Sequence, residues 1–182
     1  MNARDKILAA ASEISFENGA ANLSLDAVAA RAGVSKGGLL YHFPNKAALM
    51  RSMVEAFIDQ AEASLDETVG RGGNLLSALV CLTGTECQKP TPGAAGVLAA
   101  IAEDPDFLKP IKDFKRRLLD RLFKNAESSD DVLLIFLAAE GLRSLKLFEF
   151  DVLTAEEQER ALNVMLARAE AIRNSGAPAA SS

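Results

Sequence analysis

The sequence predicts an all-α protein of about nine helices, and three observations carry that expectation. Alanine and leucine dominate, tryptophan is absent and aromatics make up only 5% of the 182 residues, a composition that favours helices over sandwiches and barrels. Apolar residues recur at three- and four-residue intervals through most of the chain, and no stretch alternates apolar and polar residues as a half-buried strand would. Hydrophobic residues at 49% and charged ones at 25% give enough apolar material for one medium domain or two small ones.

The elements follow in order. A first helix is expected from about Asn2 to Asn18, with Ile7, Leu8, Ala11 and Ile14 on one face and Gly19 closing it. Ser24 is a suitable N-cap for a short second helix, LDAVAARA, that Gly33 ends. Ser35 caps a third, to about His42; Pro44 breaks it, and Asn45 opens a fourth over Lys46 to about Thr68. Three starts and three stops thus fall within fifty residues or so. After the glycines at 70, 72 and 73, a fifth helix runs from about Asn74 to Gln88, PTPG at Pro90–Gly93 forms a loop, and Ala94–Glu103 is a short sixth. Asp104–Pro105 starts a seventh, in which Pro110 is expected to force a kink or restart before about Asn125. Ser128–Asp131 separates it from an apolar eighth, Val132 to about Phe148. Thr154 with Glu157 makes a capping box for the ninth, whose stripe is Leu162, Met165, Leu166, Ala169 and Ile172. The tail at 174–182 is expected to be disordered.

Composition also excludes function classes. The start, MNARDKIL, lacks the basic and apolar pattern of a secretory signal, and no apolar run reaches the roughly 18 residues of a membrane span, so a cytoplasmic location is expected. Cys81 and Cys87 lie six apart on one helix and face different ways, which argues against a disulfide and against a metal pair. No cofactor is expected. An enzyme is not expected either: the single histidine lies in the third helix, and neither paired carboxylates nor a glycine-rich phosphate loop assembles a reaction centre.

Charge points elsewhere. The formal net charge is −5, but residues 1–51 hold six basic side chains (Arg4, Lys6, Arg31, Lys36, Lys46, Arg51) against four acids (Asp5, Glu13, Glu17, Asp26). That is +2, leaving −7 for the remainder, the asymmetry of a nucleic-acid-binding head on an acidic body. Two short helices joined by a glycine-containing turn form a helix-turn-helix, whose second helix enters the DNA major groove. Ala29 is small where these helices cross, and Val34 and Leu39 supply buried contacts. On the third helix Lys36, Tyr41 and His42 offer partners for phosphate, as does Lys46 beyond it, and Ser35 stands at the helix start. Gly37 and Gly38 each cost up to about 1 kcal/mol against alanine in a helix. Close approach of backbone to the groove floor is the expected compensation. The candidate DNA contacts are Ser24, Ser35, Lys36, Gly37, Gly38, Tyr41, His42 and Lys46.

The segment from Ile7 to Met50, with AGVSKG and HFPNK as its most specific pieces, resembles the DNA-binding domain of the TetR family of transcriptional regulators. The resemblance implies a head over 1–46 and a body over 47–173 that binds a small effector, and a dimer on a palindromic operator formed through the last two long helices, about 131–148 and 155–173. Most members carry a tyrosine where this chain has Leu40; here the aromatic comes one place later, at Tyr41. The first helix usually ends in Leu-Phe, where this chain has Ile14-Ser15-Phe16, a difference of packing.

Beyond Arg51 the residues themselves must carry the reading. The helix Val132–Phe148 is apolar nearly all round in its first half, more than one interface can use. Ala138, Gly141, Leu142 and Leu145, with Leu162, Met165, Leu166 and Ala169 of the last helix, are the candidate interface of a four-helix homodimer. Leu79, Leu82, Leu98, Ile101, Phe107, Ile111, Phe114, Leu118 and Phe136 are candidate linings of a pocket for a small hydrophobic effector, or plain core. The basic run Lys112, Lys115, Arg116, Arg117, Arg121 and Lys124 is a solvated helix face or a site for an acidic effector. The expected function is a ligand-responsive repressor on double-stranded operator DNA. A constitutive DNA-binding regulator without effector, and an α-helical protein-interaction adaptor, are the alternatives.

Overall fold

The computed structural model describes residues 2–18, 23–88, 104–124, 128–148 and 150–172. Among them the protein is all-helical, with eight α-helices and no strand. We number them α1 (Ala3–Asn18), α2 (Leu25–Ala32), α3 (Lys36–His42), α4 (Lys46–Gly70), α5 (Leu75–Gln88), α6 (Leu108–Lys124), α7 (Ser129–Leu147) and α8 (Ala155–Ala171). A 3₁₀ turn, Pro105–Phe107, precedes α6. The helix expected at Ala94–Glu103, the PTPG loop, the Gly19 stop and the 174–182 tail lie outside the described residues.

Local chemistry sets the boundaries. Ser24 and Ser35 each accept a hydrogen bond from the backbone N–H three residues on, at 3.1 and 3.0 Å, and so relieve a donor that the helix start leaves without a partner. Gly33 closes α2 at φ +67°, the left-handed conformation that a Cβ makes costly. Asn45 caps α4 by accepting from Ala48 N at 2.8 Å, and Asn74 caps α5 by accepting from Ser77 N at 2.7 Å. The Thr154–Glu157 capping box forms in both directions.

Pro110 stands where the 3₁₀ turn Pro105–Phe107 gives way to α6 at Leu108, a restart that puts the proline in the first turn of α6, where a backbone N–H would have no intrahelical acceptor to lose. One boundary is corrected. The apolar eighth helix of the sequence reading starts at Ser129 rather than Val132, because the Ser128 hydroxyl caps it by accepting from Asp131 N. Its first turn thereby gains Asp130 and Asp131, acids placed well against the helix dipole.

The chain divides into two compact units, Met1–Gln60 with Thr91–Phe114, and Ala61–Pro90 with Lys115–Ser182. In the first, α1 packs on α2 and α3, and α2 on α3. Its core includes Ile7, Ala11, Val28, Leu39, Leu49 and Met50, each with no exposed surface. Outside that core, Arg31 of α2 reaches α1, donating to both carboxylate oxygens of Glu17 at 3.1 and 2.8 Å. The Arg4 guanidinium lies 5.7 Å from the centre of the buried Phe43 ring, tying the start of α1 to the end of α3.

In the second unit α5, α7 and α8 pack on one another around Leu79, Val132, Ala139 and Ala169, all fully buried. The Asn74 amide donates to Ala169 O at 2.9 Å, pinning the start of α5 to the end of α8. A half-buried ionic chain runs Lys115–Glu140–Arg143–Glu86 across α6, α7 and α5. Two exposed rungs one turn apart, Arg117–Glu62 at 3.1 Å and Arg121–Asp66 at 2.7 Å, join α6 to the second half of α4. Cys81 is exposed and Cys87 buried, both free thiols; burial pushes the Cys87 thiol above its ordinary pKa.

Enlarging Ala29, only 4% exposed, forces α2 away from its neighbours; Ala29→Leu is expected to cost about 1–3 kcal/mol, read from the urea unfolding midpoint. The Arg31 hydrogen bond holds the Glu17 carboxyl below its ordinary pKa. The contribution of that pair is therefore complete above the ordinary carboxylate range and is lost as pH falls through the lowered value. In a carboxyl NMR titration, Glu17 is expected to titrate at higher pH in Arg31→Ala than in the native chain; equal midpoints would show that the pair does nothing in solution.

Candidate nucleic-acid interface

The site is built by turning one short helix. Seven residues containing two glycines do not hold a helix alone. Leu39, with no exposed surface, and Phe43, at 2%, anchor α3 from within, and Val34 N donates back to Ala29 O at 3.0 Å across the turn. With Leu39 fixed inward, the opposite face is fixed outward. It consists of Lys36, Gly37, Leu40 and Tyr41, all exposed, in two columns one helical turn long.

Tyr41 is 86% exposed, and its ring meets His42 edge-on at 5.2 Å between centroids. His42 is half-buried and turns partly toward Phe43, 6.3 Å away. Lys36 does not extend into solvent alone: its ammonium lies 2.8 and 3.2 Å from the two Asp26 carboxylate oxygens. Both partners are largely exposed, so the pair is weak and exchangeable. A Cβ added to Gly37 would meet nothing within 4 Å, so nothing inside the chain requires a glycine there. One added to Gly38 would press on the capping Ser35 Oγ at 3.2 Å. Ser24 and Ser35 are exposed, their hydroxyls engaged in capping, and Lys46 is half-buried at the start of α4.

Of the candidate DNA contacts, then, Lys36, Gly37 and Tyr41 share the outer face of α3 with Ser35 at its start. Gly38 and His42 lie at the margins, and Ser24 and Lys46 belong to neighbouring helices. Sequence reasoning passed over Leu40, which is 37% exposed on that face. Its neighbour Leu39 lies about 100° round the helix, fully inside, and Leu40 is left on the flank between core and solvent.

The remaining candidates are distributed as follows. Leu79 and Leu118 are buried in the second unit, where Leu82 and Phe136 are half-buried. Phe107, Ile111 and Phe114 are buried in the first, and Leu98 and Ile101 lie outside the described residues. Ala138 and Gly141 are exposed on α7, whereas Leu142, Met165 and Ala169 are turned into the unit's own core; Leu145, Leu162 and Leu166 are half-buried. Leu162 lies 3.5 Å from where a Cβ of Gly84 would stand, packing α8 close on α5. The exposed stripe that sequence reasoning missed is Leu134 and Leu137, 59% and 63% exposed, continuous with Ala138 and Gly141. Val164 on α8 is 61% exposed. A shallow hollow on α8, with Arg160, Asn163 and Val164 in its lining, opens widely to solvent. Among the described residues no cluster of three metal-ligating side chains occurs, and no helix is long and apolar enough to cross a membrane.

Comparison with known proteins gives this arrangement its place. Several solved structures share the fold over nearly the whole chain. A transcriptional regulator from Rhodococcus sp. Rha1 is 22% identical over 91% of this chain and 95% of its own, with a TM-score of 0.67. One from Aquifex aeolicus VF5 is 19% identical over 91% and 96%, with a TM-score of 0.67. The multidrug binding protein EbrR, complexed with malachite green, is 21% identical over 91% and 96%, also with a TM-score of 0.67. No curated protein matches the chain. A family model described as bacterial regulatory proteins, tetR family, matches residues 7–53, which hold α2, α3 and their turn, and one described as the tetracyclin repressor-like C-terminal domain matches residues 73–170. The second alone spans more than half of the sequence, and with the first it shows that the chain belongs to the TetR family of bacterial transcriptional regulators.

Proposed function

We propose that the protein is a dimeric repressor that acts by binding rather than catalysis: residues 1–46 form the head that reads a palindromic operator, and 47–173 a body that receives a small hydrophobic effector and dimerises. The observation that carries the reading is the outer face of α3. Its inner side is held by Leu39 and Phe43, and its outer side presents a lysine in an exposed pair with Asp26, a bare glycine and an 86% exposed tyrosine. Lys36 and Tyr41 are the proposed groove and phosphate contacts, Gly37 the point of closest backbone approach, and Ser35, Gly38 and His42 the margin. Ser24 and Lys46 flank them as phosphate contacts. A second recognition helix, supplied by a second copy, would stand about 34–36 Å away to meet the next major groove.

The dimer reading is supported by Leu134, Leu137, Ala138 and Gly141, spaced i, i+3, i+4 and i+7 on one side of α7 and all exposed. A patch of that kind on a single copy is an association surface. Val164 and Ala167 extend it on α8, and Leu145, Leu162 and Leu166 contribute their exposed edges. Effector binding is supported by the apolar composition of the body and by the ligand seen in the EbrR structure. A ligand that prefers a body conformation with the wrong head spacing releases the operator by that difference in affinity.

Lys36→Ala is expected to weaken binding to the preferred sequence by about tenfold or more, whereas Lys46→Ala weakens all duplexes alike and reduces the slope of log K against log salt by roughly 0.9. Fluorescence anisotropy across a salt series measures both, and two variants indistinguishable from the native chain would remove α3 from the interface. Leu137→Glu places a charge in the proposed contact between copies and is expected to yield monomers in sedimentation velocity. A dimer that persists would put the interface elsewhere.

A further inference from the structure

We propose that Leu40 reads the 5-methyl group of a thymine in the major groove, and that this apolar contact is a principal source of base discrimination on α3. The inference rests on the assignment of α3 as the DNA-reading helix. It concerns a residue at which the chain departs from the aromatic its resemblance implies.

Leu40 sits on the outward face, 37% exposed, one turn after Lys36 and directly before the 86% exposed Tyr41. Leu39, with no exposed surface, fixes the rotation of the helix, and Leu40, about 100° further round, is left part covered and part open to solvent. Helical side chains lean toward the N-terminus of their own helix, which places the Leu40 isobutyl group over the turn of Lys36 and Gly37. Gly37 offers no side chain there, and even a Cβ would meet nothing within 4 Å. The leucine therefore stands on a shallow floor, with nothing on Gly37 to hold a base edge away from it.

A leucine has neither donor nor acceptor. Guanine O6 and N7, adenine N6 and N7, and cytosine N4 all require a hydrogen-bonding partner, and covering any of them with an isobutyl group leaves a desolvated polar atom. The one apolar group that a base pair presents in the major groove is the thymine methyl. The same side chain thus attracts one base and penalises the other three. Neighbouring Lys36, paired with Asp26 at 2.8 Å, keeps the polar functions of the face beside the leucine rather than on it. 5-Methylcytosine presents the same methyl, but beside an N4 amine that the leucine cannot satisfy.

The full chain is used to enrich duplexes from a random-sequence DNA pool, and each thymine of the enriched half-site is replaced in turn by deoxyuridine, which removes only the methyl. One position per half-site is expected to lose affinity about fourfold, the transfer value of one buried methyl-sized group. At that position 5-methylcytosine is expected to exceed cytosine by a similar ratio while binding less well than thymine. Leu40→Ala is expected to bind the thymine and uracil duplexes equally, and Leu40→Met to keep the preference. Kd values within twofold for every uracil replacement, a preference that survives in Leu40→Ala, or 5-methylcytosine binding more tightly than thymine would each overturn the proposal. A pool from which no duplex is enriched sinks the DNA-reading assignment itself, whereas an enriched duplex indifferent to methyl sinks only the role of Leu40.

Discussion

The reading head depends on a helix too short to exist by itself. Nucleating a helical turn is costly and two glycines add to the cost, so α3 depends on the burial of Leu39 and Phe43 and on Ser35, whose hydroxyl accepts from one of its otherwise unpartnered donors, Gly38 N. That constraint decides more than stability. Once Leu39 is inside, the helical period largely sets which residues look outward, and the composition of the exposed face of α3 follows from one buried leucine. The close crossing at Ala29, the left-handed turn at Gly33 and the Arg31–Glu17 brace all serve to keep α2 where it can hold α3.

The second unit is held on a different principle. Its apolar core, with Leu79, Val132, Ala139 and Ala169, is supplemented by directional ties: the Asn74 amide on Ala169 O, the Lys115–Glu140–Arg143–Glu86 chain, and the rungs from α6 to α4. The exposed rungs among them add little stability individually. They do fix register, since a bond between two particular side chains is lost when a helix slides by one turn, whereas an apolar contact exchanges one leucine for another.

Much of the fold was legible in the sequence because helix ends are written in local chemistry. Ser24, Ser35, Asn45 and Thr154 mark starts by the same hydrogen bond wherever they occur, and Gly33 marks a stop by a conformation that other residues avoid. The one misplaced boundary also has a local cause: Ser128 reads as linker, but its hydroxyl caps α7. The exposed face of α3 was partly legible: Lys36 and Tyr41 announce themselves as polar groups, but Leu40 carries no such mark, and its partial exposure emerges only with the packing of Leu39. On α7 the difficulty was the reverse. A helix apolar nearly all round does not say which side its own unit uses, and packing against α5 and α8 assigns Leu142 and Ala139 inward, leaving Leu134 and Leu137 outside.

The Lys36–Asp26 pair gives the head an ion of its own. A lysine that meets DNA from bulk water expels a counterion from the phosphate backbone, and binding of that kind fades as salt rises. Lys36 begins instead beside a carboxylate of its own chain, 2.8 Å away, in a pair exposed enough to exchange. In the complex proposed above it would trade one fixed anion for another, so its share of the binding would depend less on salt than that of a lysine arriving from bulk water.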